Sequence, residues 1–275
     1  MNYDNRPIGV FDSGIGGLTV LKHLVRLMPE ERFVYLGDTA RVPYGNKSAE
    51  TVQLYARQCA AFLCQHDVKL IVVACNTASA LALEDLRMHQ SIPVIGVIDP
   101  AARASIGATT RGHIGVIGTR ATIASHAYEN SIRSHSHRTD IAIHSVACPL
   151  FVPLVEEGWL AAQATHLIAD EYTRVLRQDG IDTLVLGCTH YPMLAPVLKE
   201  LLPDVTLIDC GECTAAEAKS LVAPCEASES APNIVMYVTD QTPAFASLAE
   251  RFLGFAVEQP QRVSLDHVLD PQEDA

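Results

Sequence analysis

Short apolar, β-branched runs alternate along this chain with longer segments whose apolar positions recur at helical spacing. Ile8–Phe11, Phe33–Leu36, Leu70–Ala74, Val94–Val97, Ile114–Ile117, Ile141–Val146, Leu184–Leu186, Thr206–Ile208 and Ile234–Val238 read as strands. Leu18–Leu27, Val52–Leu63, Leu81–Leu86, Ala161–Leu176 and Ala244–Leu253 read as helices with one apolar face. Strands that are apolar at nearly every position are covered on both sides. The alternation therefore predicts mostly parallel sheets flanked by helices, an α/β protein of αβα layers. Pro93 to Asp99-Pro100 marks a crossing into a second domain, and Asp209-Cys210-Gly211 marks the return. Residues 1–98 plus 210–257 are then expected to form one domain and 99–209 the other. The segment 258–275 is polar and acidic and is expected to be partly disordered.

Composition narrows the classes open to such a fold. With 275 residues, 48% hydrophobic and 19% charged, the chain can bury a sizeable core. A net charge of -12 argues against a broad basic face, so nucleic acid is not an expected partner. Residues 1–7 lack the charged-then-apolar layout of a signal peptide, and no apolar run approaches the ~20 residues of a membrane span. The expectation is a soluble, cytoplasmic protein that does not associate with membranes. In a reducing compartment its eight cysteines are read as buried, metal-bound or catalytic thiols rather than disulfides.

Two of those cysteines stand in look-alike settings, Val72-Val73-Ala74-Cys75-Asn76-Thr77 and Val185-Leu186-Gly187-Cys188-Thr189-His190. Each follows an apolar strand and precedes small or hydroxyl-bearing residues, so each thiol sits where a strand turns into a helix. Ligands of open α/β sheets bind beyond such strand ends. Two matched thiols on facing domains would meet in one cleft, suited to taking a proton from one face of a substrate and giving one to the other. A helix start favours the thiolate. Asp12 near Cys75, as a like charge, opposes that depression. Asn76, Thr77 and Thr189 can donate hydrogen bonds to a carboxylate between the thiols, and His190 can tune the proton of Cys188.

Other motifs are weaker. Ile8-Gly-Val-Phe-Asp12-Ser13-Gly14-Ile-Gly16-Gly17 ends a strand in a carboxylate and opens a helix through glycines, which suits an anion. A dinucleotide site is the rival reading, with Asp38 at the next strand end as the ribose acid. Thr19, however, stands where the fingerprint wants its third glycine. Gly37 to Gly45 includes Pro43-Tyr44-Gly45, an ordinary turn unless it borders a cleft. Thr119 and Thr122 follow a strand and read first as a helix cap. Glu156 reads first as a solvated helix acid. Cys210-Gly-Glu-Cys213 has redox or half-zinc spacing but no second pair, and no metal site is expected. Cys59 and Cys64 read as apolar helix residues, and His126, His135, His137 and His166 as surface or satisfied core residues. The five lysines show no pyridoxal-phosphate setting.

Phe11-Asp-Ser-Gly-Ile-Gly-Gly-Leu-Thr-Val, Pro43-Tyr-Gly, Ala74-Cys-Asn-Thr-Ala and Gly187-Cys-Thr-His-Tyr-Pro occur in this order from near the start to past two thirds of the chain. Together they closely resemble the glutamate racemase family. The resemblance implies two αβα domains with the active site in the cleft between them. It also implies cofactor-independent interconversion of L- and D-glutamate, supplying D-glutamate for peptidoglycan. Cys75 and Cys188 then correspond to the two acid/base thiols, Cys75 serving D-glutamate and Cys188 serving L-glutamate. Asp12 and His190 correspond to their assisting groups, with Glu156 a further acid near the histidine. Asp12, Ser13, Tyr44, Gly45, Asn76, Thr77, Thr189 and His190 correspond to substrate-binding positions, and Thr119 and Thr122 match more loosely. The family is commonly dimeric. Some members carry an N-terminal extension linked to activation by a cell-wall precursor; with Asp12 so near the start, that control is not expected here. Aspartate racemase is the neighbouring alternative, and a non-catalytic partner-binding protein on the same scaffold is the alternative of another class.

Overall fold

The computed structural model describes residues 3–226, 234–241 and 245–269. Ten strands and eleven helices alternate within them. The strands are β1 (Ile8–Asp12), β2 (Phe33–Gly37), β3 (Leu70–Val73), β4 (Val94–Gly96), β5 (His113–Gly118), β6 (Ala142–Ala147), β7 (Thr183–Gly187), β8 (Thr206–Asp209), β9 (Ile234–Val238) and β10 (Gln261–Arg262). The helices are α1 (Leu18–Leu27), α2 (Ala49–Cys64), α3 (Asn76–His89), α4 (Ile98–Ala108), α5 (Arg120–Ala124) and α6 (Ala127–His135), followed by α7 (Phe151–Glu156), α8 (Gln163–Gln178), α9 (Ala195–Leu201), α10 (Cys210–Leu221) and α11 (Phe245–Leu253). All nine runs expected as strands are strands, with ends that agree to within one residue.

The strands form two sheets, ordered β10-β9-β2-β1-β3-β4 and β6-β5-β7-β8. Every strand pairing among the described residues is parallel. Side-chain alternation explains why these strands are apolar throughout. Val10, Leu70 and Val72 face one core, whereas Phe11, Ile71 and Val73 face another on the opposite side of the first sheet. The first of these cores continues through α1, α4 and α10 into the second sheet. Helix α1 shows the matching helical pattern, burying Leu18, Leu21, Leu24 and Val25 while Lys22 and Arg26 stay exposed.

The segment expected as a crossing, Pro93 to Pro100, is taken up by secondary structure: Val94–Gly96 is β4, and Asp99 and Pro100 lie in the first turn of α4. Proline is tolerated there since its missing N–H would have no helical partner. The first sheet also reaches beyond residue 257. Strand β10 adds a short parallel edge to β9, and Leu265 is buried in the core beside α2 and α3. Part of the presumed tail is therefore built into the fold, while 270–275 lie outside the described residues. Among the described residues, no helix is long and apolar enough to cross a membrane.

The topology places the chemistry. In the first sheet the strand order reverses direction between β1 and β3, and in the second between β5 and β7. Such switch points leave a crevice at the carboxyl ends of the strands. Cys75 follows β3 and Cys188 follows β7 directly or nearly so, while Asp12 ends β1 and Thr119 follows β5.

Candidate active site

A cavity of about 390 Å³ lies between the two sets of strand ends. Its lining includes Asp12, Ser13, Tyr44, Gly45, Cys75, Asn76, Thr77, Thr119, Glu156, Cys188, Thr189 and His190. Every site residue expected from the sequence is thus at the cavity except Thr122. That residue is buried behind the wall, bonded to Thr77 (3.3 Å) and Thr119 (2.9 Å). Apolar side chains of Val152 and Phe245, from α7 and α11, also line it. Nothing in their sequence pattern singles those two out from other core-facing positions.

Cys75 caps α3, its sulfur accepting from the Ala78 N–H at 3.4 Å and lying 3.4 Å from Ser13 Oγ. The helix start does not win here. Burial, reinforced by the Asp12 carboxylate, pushes the thiol up to about 12 against the donors from Ser13 and Ala78. Asp12 is itself buried. Loss of water raises its carboxyl, opposed by the charge of His190 and by backbone N–H groups including that of Gly14. One oxygen, Oδ2, accepts from Gly14 N at 2.9 Å, and Oδ1 has no partner among the described residues.

The surroundings of Cys188 differ. His190 Nδ1 lies 3.9 Å from its sulfur and 3.4 Å from Thr189 Oγ1, while Nε2 lies 3.0 Å from Glu156 Oε1. Burial disfavours the imidazolium, yet the contacts to Cys188 and Glu156 outweigh it and hold His190 up to about 10. The ring meets Phe252 edge-on at 5.2 Å. Glu156, which read as a solvated acid, is half-exposed, lines the cavity and pairs with this histidine.

The two sides meet directly. Thr19 Oγ1 donates to the Thr189 carbonyl at 2.9 Å, joining α1 to the Cys188 turn. Gly16 is pressed against the same turn: a Cβ there would overlap Thr189 Oγ1 and come within 2.5 Å of His190 Nδ1. Thr119 caps α5 through Thr122 N (3.2 Å) and lies 3.0 Å from Thr77 Oγ1, bridging the two sheets. Tyr44, in a turn of 3-10 helix, hydrogen-bonds the wholly buried Asp38, which also accepts from Arg41 and Thr239. Asp38 is therefore taken up inside the fold and is not offered to a ribose. His126 and His166 are surface residues, the latter paired with Glu200. No cluster suited to a metal ion occurs among the described residues.

Two buried cysteines thus share one cavity, and residues 8–218 match the Asp/Glu/hydantoin racemase family, to which the chain belongs. Within that family it is 47% identical to a glutamate racemase of Geobacter metallireducens, over 95% of this chain and 97% of the relative. It is 44% identical to a glutamate racemase of Neisseria meningitidis, over 94% and 97%. Its fold is similar to the crystal structure of the Francisella tularensis glutamate racemase in complex with D-glutamate, with a TM-score of 0.88, 41% identity and coverage of 95% and 98%. A glutamate racemase isoform from Bacillus anthracis gives a TM-score of 0.90 at 40% identity, covering 96% and 99%. An aspartate racemase homologue from Pyrococcus horikoshii, 16% identical with a TM-score of 0.58, shares the fold alone.

Proposed function

We propose that this protein interconverts L- and D-glutamate by proton transfer at Cα, without a cofactor, and so supplies D-glutamate for peptidoglycan. The observation that carries the reading is the pair of buried thiols, Cys75 and Cys188, at the switch points of two sheets and on one cavity. The Cα proton of glutamate is very weakly acidic. The site must therefore stabilise developing charge with preorganised donors in a place that excludes water. In this reading Cys188 removes the proton of L-glutamate, and the imidazolium of His190, oriented by Glu156, offsets its negative charge. Cys75 delivers a proton to the opposite face, and its raised pKa suits it to hold one. In the reverse direction His190 gives its proton to Cys188 and Asp12 accepts that of Cys75; Cys75 then removes the proton of D-glutamate and Cys188 delivers one to the opposite face. Ser13, Asn76, Thr77 and Thr189 bind the amino-acid end. Tyr44 and Gly45 hold the side-chain carboxylate, with Thr119 supporting them from the facing sheet.

Residues 1–98 with 210–257, extended through β10, form one domain in this reading, and 99–209 form the other. The enzyme is cytoplasmic and acts as a homodimer, as the family resemblance implies. Circular dichroism of L-glutamate incubated with the purified protein should decay to zero. In D₂O the product should carry deuterium at Cα. Cys75→Ala and Cys188→Ala should each abolish racemisation of both enantiomers, and retained activity in either would overturn the two-base assignment.

A further inference from the structure

Cys210 opens α10 and is the first cysteine of the Cys210-Gly-Glu-Cys213 pair. It is buried and is not among the residues that line the cavity. Its sulfur lies 3.2 Å from the Leu186 carbonyl and 3.1 Å from Tyr128 Oη. Tyr128 Oη in turn lies 2.7 Å from Asn76 Nδ2, which also reaches the Cys210 sulfur at 3.7 Å. Asn76 directly follows Cys75, and Leu186 stands two residues before Cys188.

The chain of contacts has a single consistent direction. A backbone carbonyl can only accept, so the Cys210 S–H must donate to Leu186. The sulfur is then free to accept from the Tyr128 hydroxyl. Having given its one proton, the Tyr128 oxygen accepts from the Asn76 amide nitrogen. That leaves Asn76 Oδ1, which is buried at the cavity wall and has no partner among the described residues. A buried carbonyl oxygen without a partner is costly, and a ligand donor removes the cost.

We propose that Cys210 and Tyr128 are positioning residues: together they form a proton-ordered relay from the Leu186 carbonyl to Asn76 that turns the Asn76 amide oxygen toward the α-ammonium of the substrate. The relay also passes in three steps from α3 to α6 to α10 to β7, so one set of hydrogen bonds registers the Cys75 turn against the Cys188 turn. Burial pushes the Cys210 thiol up and keeps the proton that the relay requires. This gives Cys210 a task that needs a thiol proton rather than a partner at Cys213.

The inference rests on glutamate being the substrate, and its test separates the two. Tyr128→Phe and Cys210→Ala should each raise KM for both enantiomers about 5- to 10-fold, with kcat changed less than about 2-fold. The double variant should be no worse than Tyr128→Phe, because both break one chain. Cys210→Ser keeps a donor and an acceptor and should restore KM. Additive losses, an unchanged KM in Cys210→Ala, or failure of serine to rescue would overturn the relay. An infrared S–H stretch that disappears in Cys210→Ala and shifts in Tyr128→Phe reads the relay without turnover. An unshifted band would overturn it even if the wild-type protein left glutamate untouched, a result that would instead remove the substrate reading.

Discussion

Each thiol is managed by a different neighbour. Cys75 sits beside a buried carboxyl that raises it, and Cys188 beside an imidazole that two contacts keep charged. The histidine has a consequence for stability. Its pKa is raised in the folded protein from 6.5 to about 10, so the fold binds that proton more tightly than the unfolded chain does. The resulting stabilisation is fully present below about pH 6.5 and is lost as pH rises through about 10. His190→Asn should therefore flatten the alkaline fall in melting temperature between those limits. Melting curves for both proteins across that range check it, and an equally steep fall in the variant would contradict the assignment. Glu156 takes part in this only through His190, and because it is half-exposed, solvent screens its share of the effect.

Among the elements, the turn that opens α1 controls how closely the two sides approach. Gly16 has no room for a methyl group against Thr189 and His190, whereas Gly107 in α4 has nothing within 4 Å of its would-be Cβ. Gly16→Ala should wedge this turn off the Cys188 turn and reduce kcat/KM by at least about 100-fold, as displacement of reacting groups by about an ångström does. Gly107→Ala should leave activity intact and add about 0.5–1 kcal/mol of helix stability. Steady-state kinetics and urea titration of the two variants separate these outcomes. The strands and the two cysteine turns were legible in the sequence because strands buried on both faces leave unbroken apolar runs, and a thiol after such a run marks its exit. Helix α4 was not, since Asp99-Pro100 looks like a break and only its position in a first turn makes it harmless. Strand β10 is two polar, exposed residues joined to an edge, with no pattern to detect. Tyr128 and Cys210 escaped because their significance lies in contacts across 82 positions of sequence.

For the molecule as a whole, stability and chemistry occupy opposite ends of the first sheet. At the amino ends of its strands, Lys69 and Glu31 form a fully buried ion pair at 2.7 Å. Lys69 also donates to the carbonyls of Asp4 (2.7 Å) and Ala223 (2.9 Å), while Glu31 accepts from the Cys225 N–H at 3.0 Å. One node thus ties the amino-terminal segment, two strand entries and the stretch after α10. Lys69→Met leaves Glu31 buried without its cation and should cost about 3–5 kcal/mol in urea unfolding, with kcat per folded molecule unchanged. A loss below about 1 kcal/mol would mean that the node contributes little. At the carboxyl ends, the unequal settings of the two thiols meet a constraint that no side chain can alter. Mirror-image substrates have the same free energy, so the equilibrium lies at an even mixture and kcat/KM must be equal in the two directions. An asymmetric site can therefore never favour one enantiomer at equilibrium. The difference between the Asp12 side and the His190 side can appear only as matched changes in kcat and KM, and in which hand of glutamate the resting enzyme holds longer.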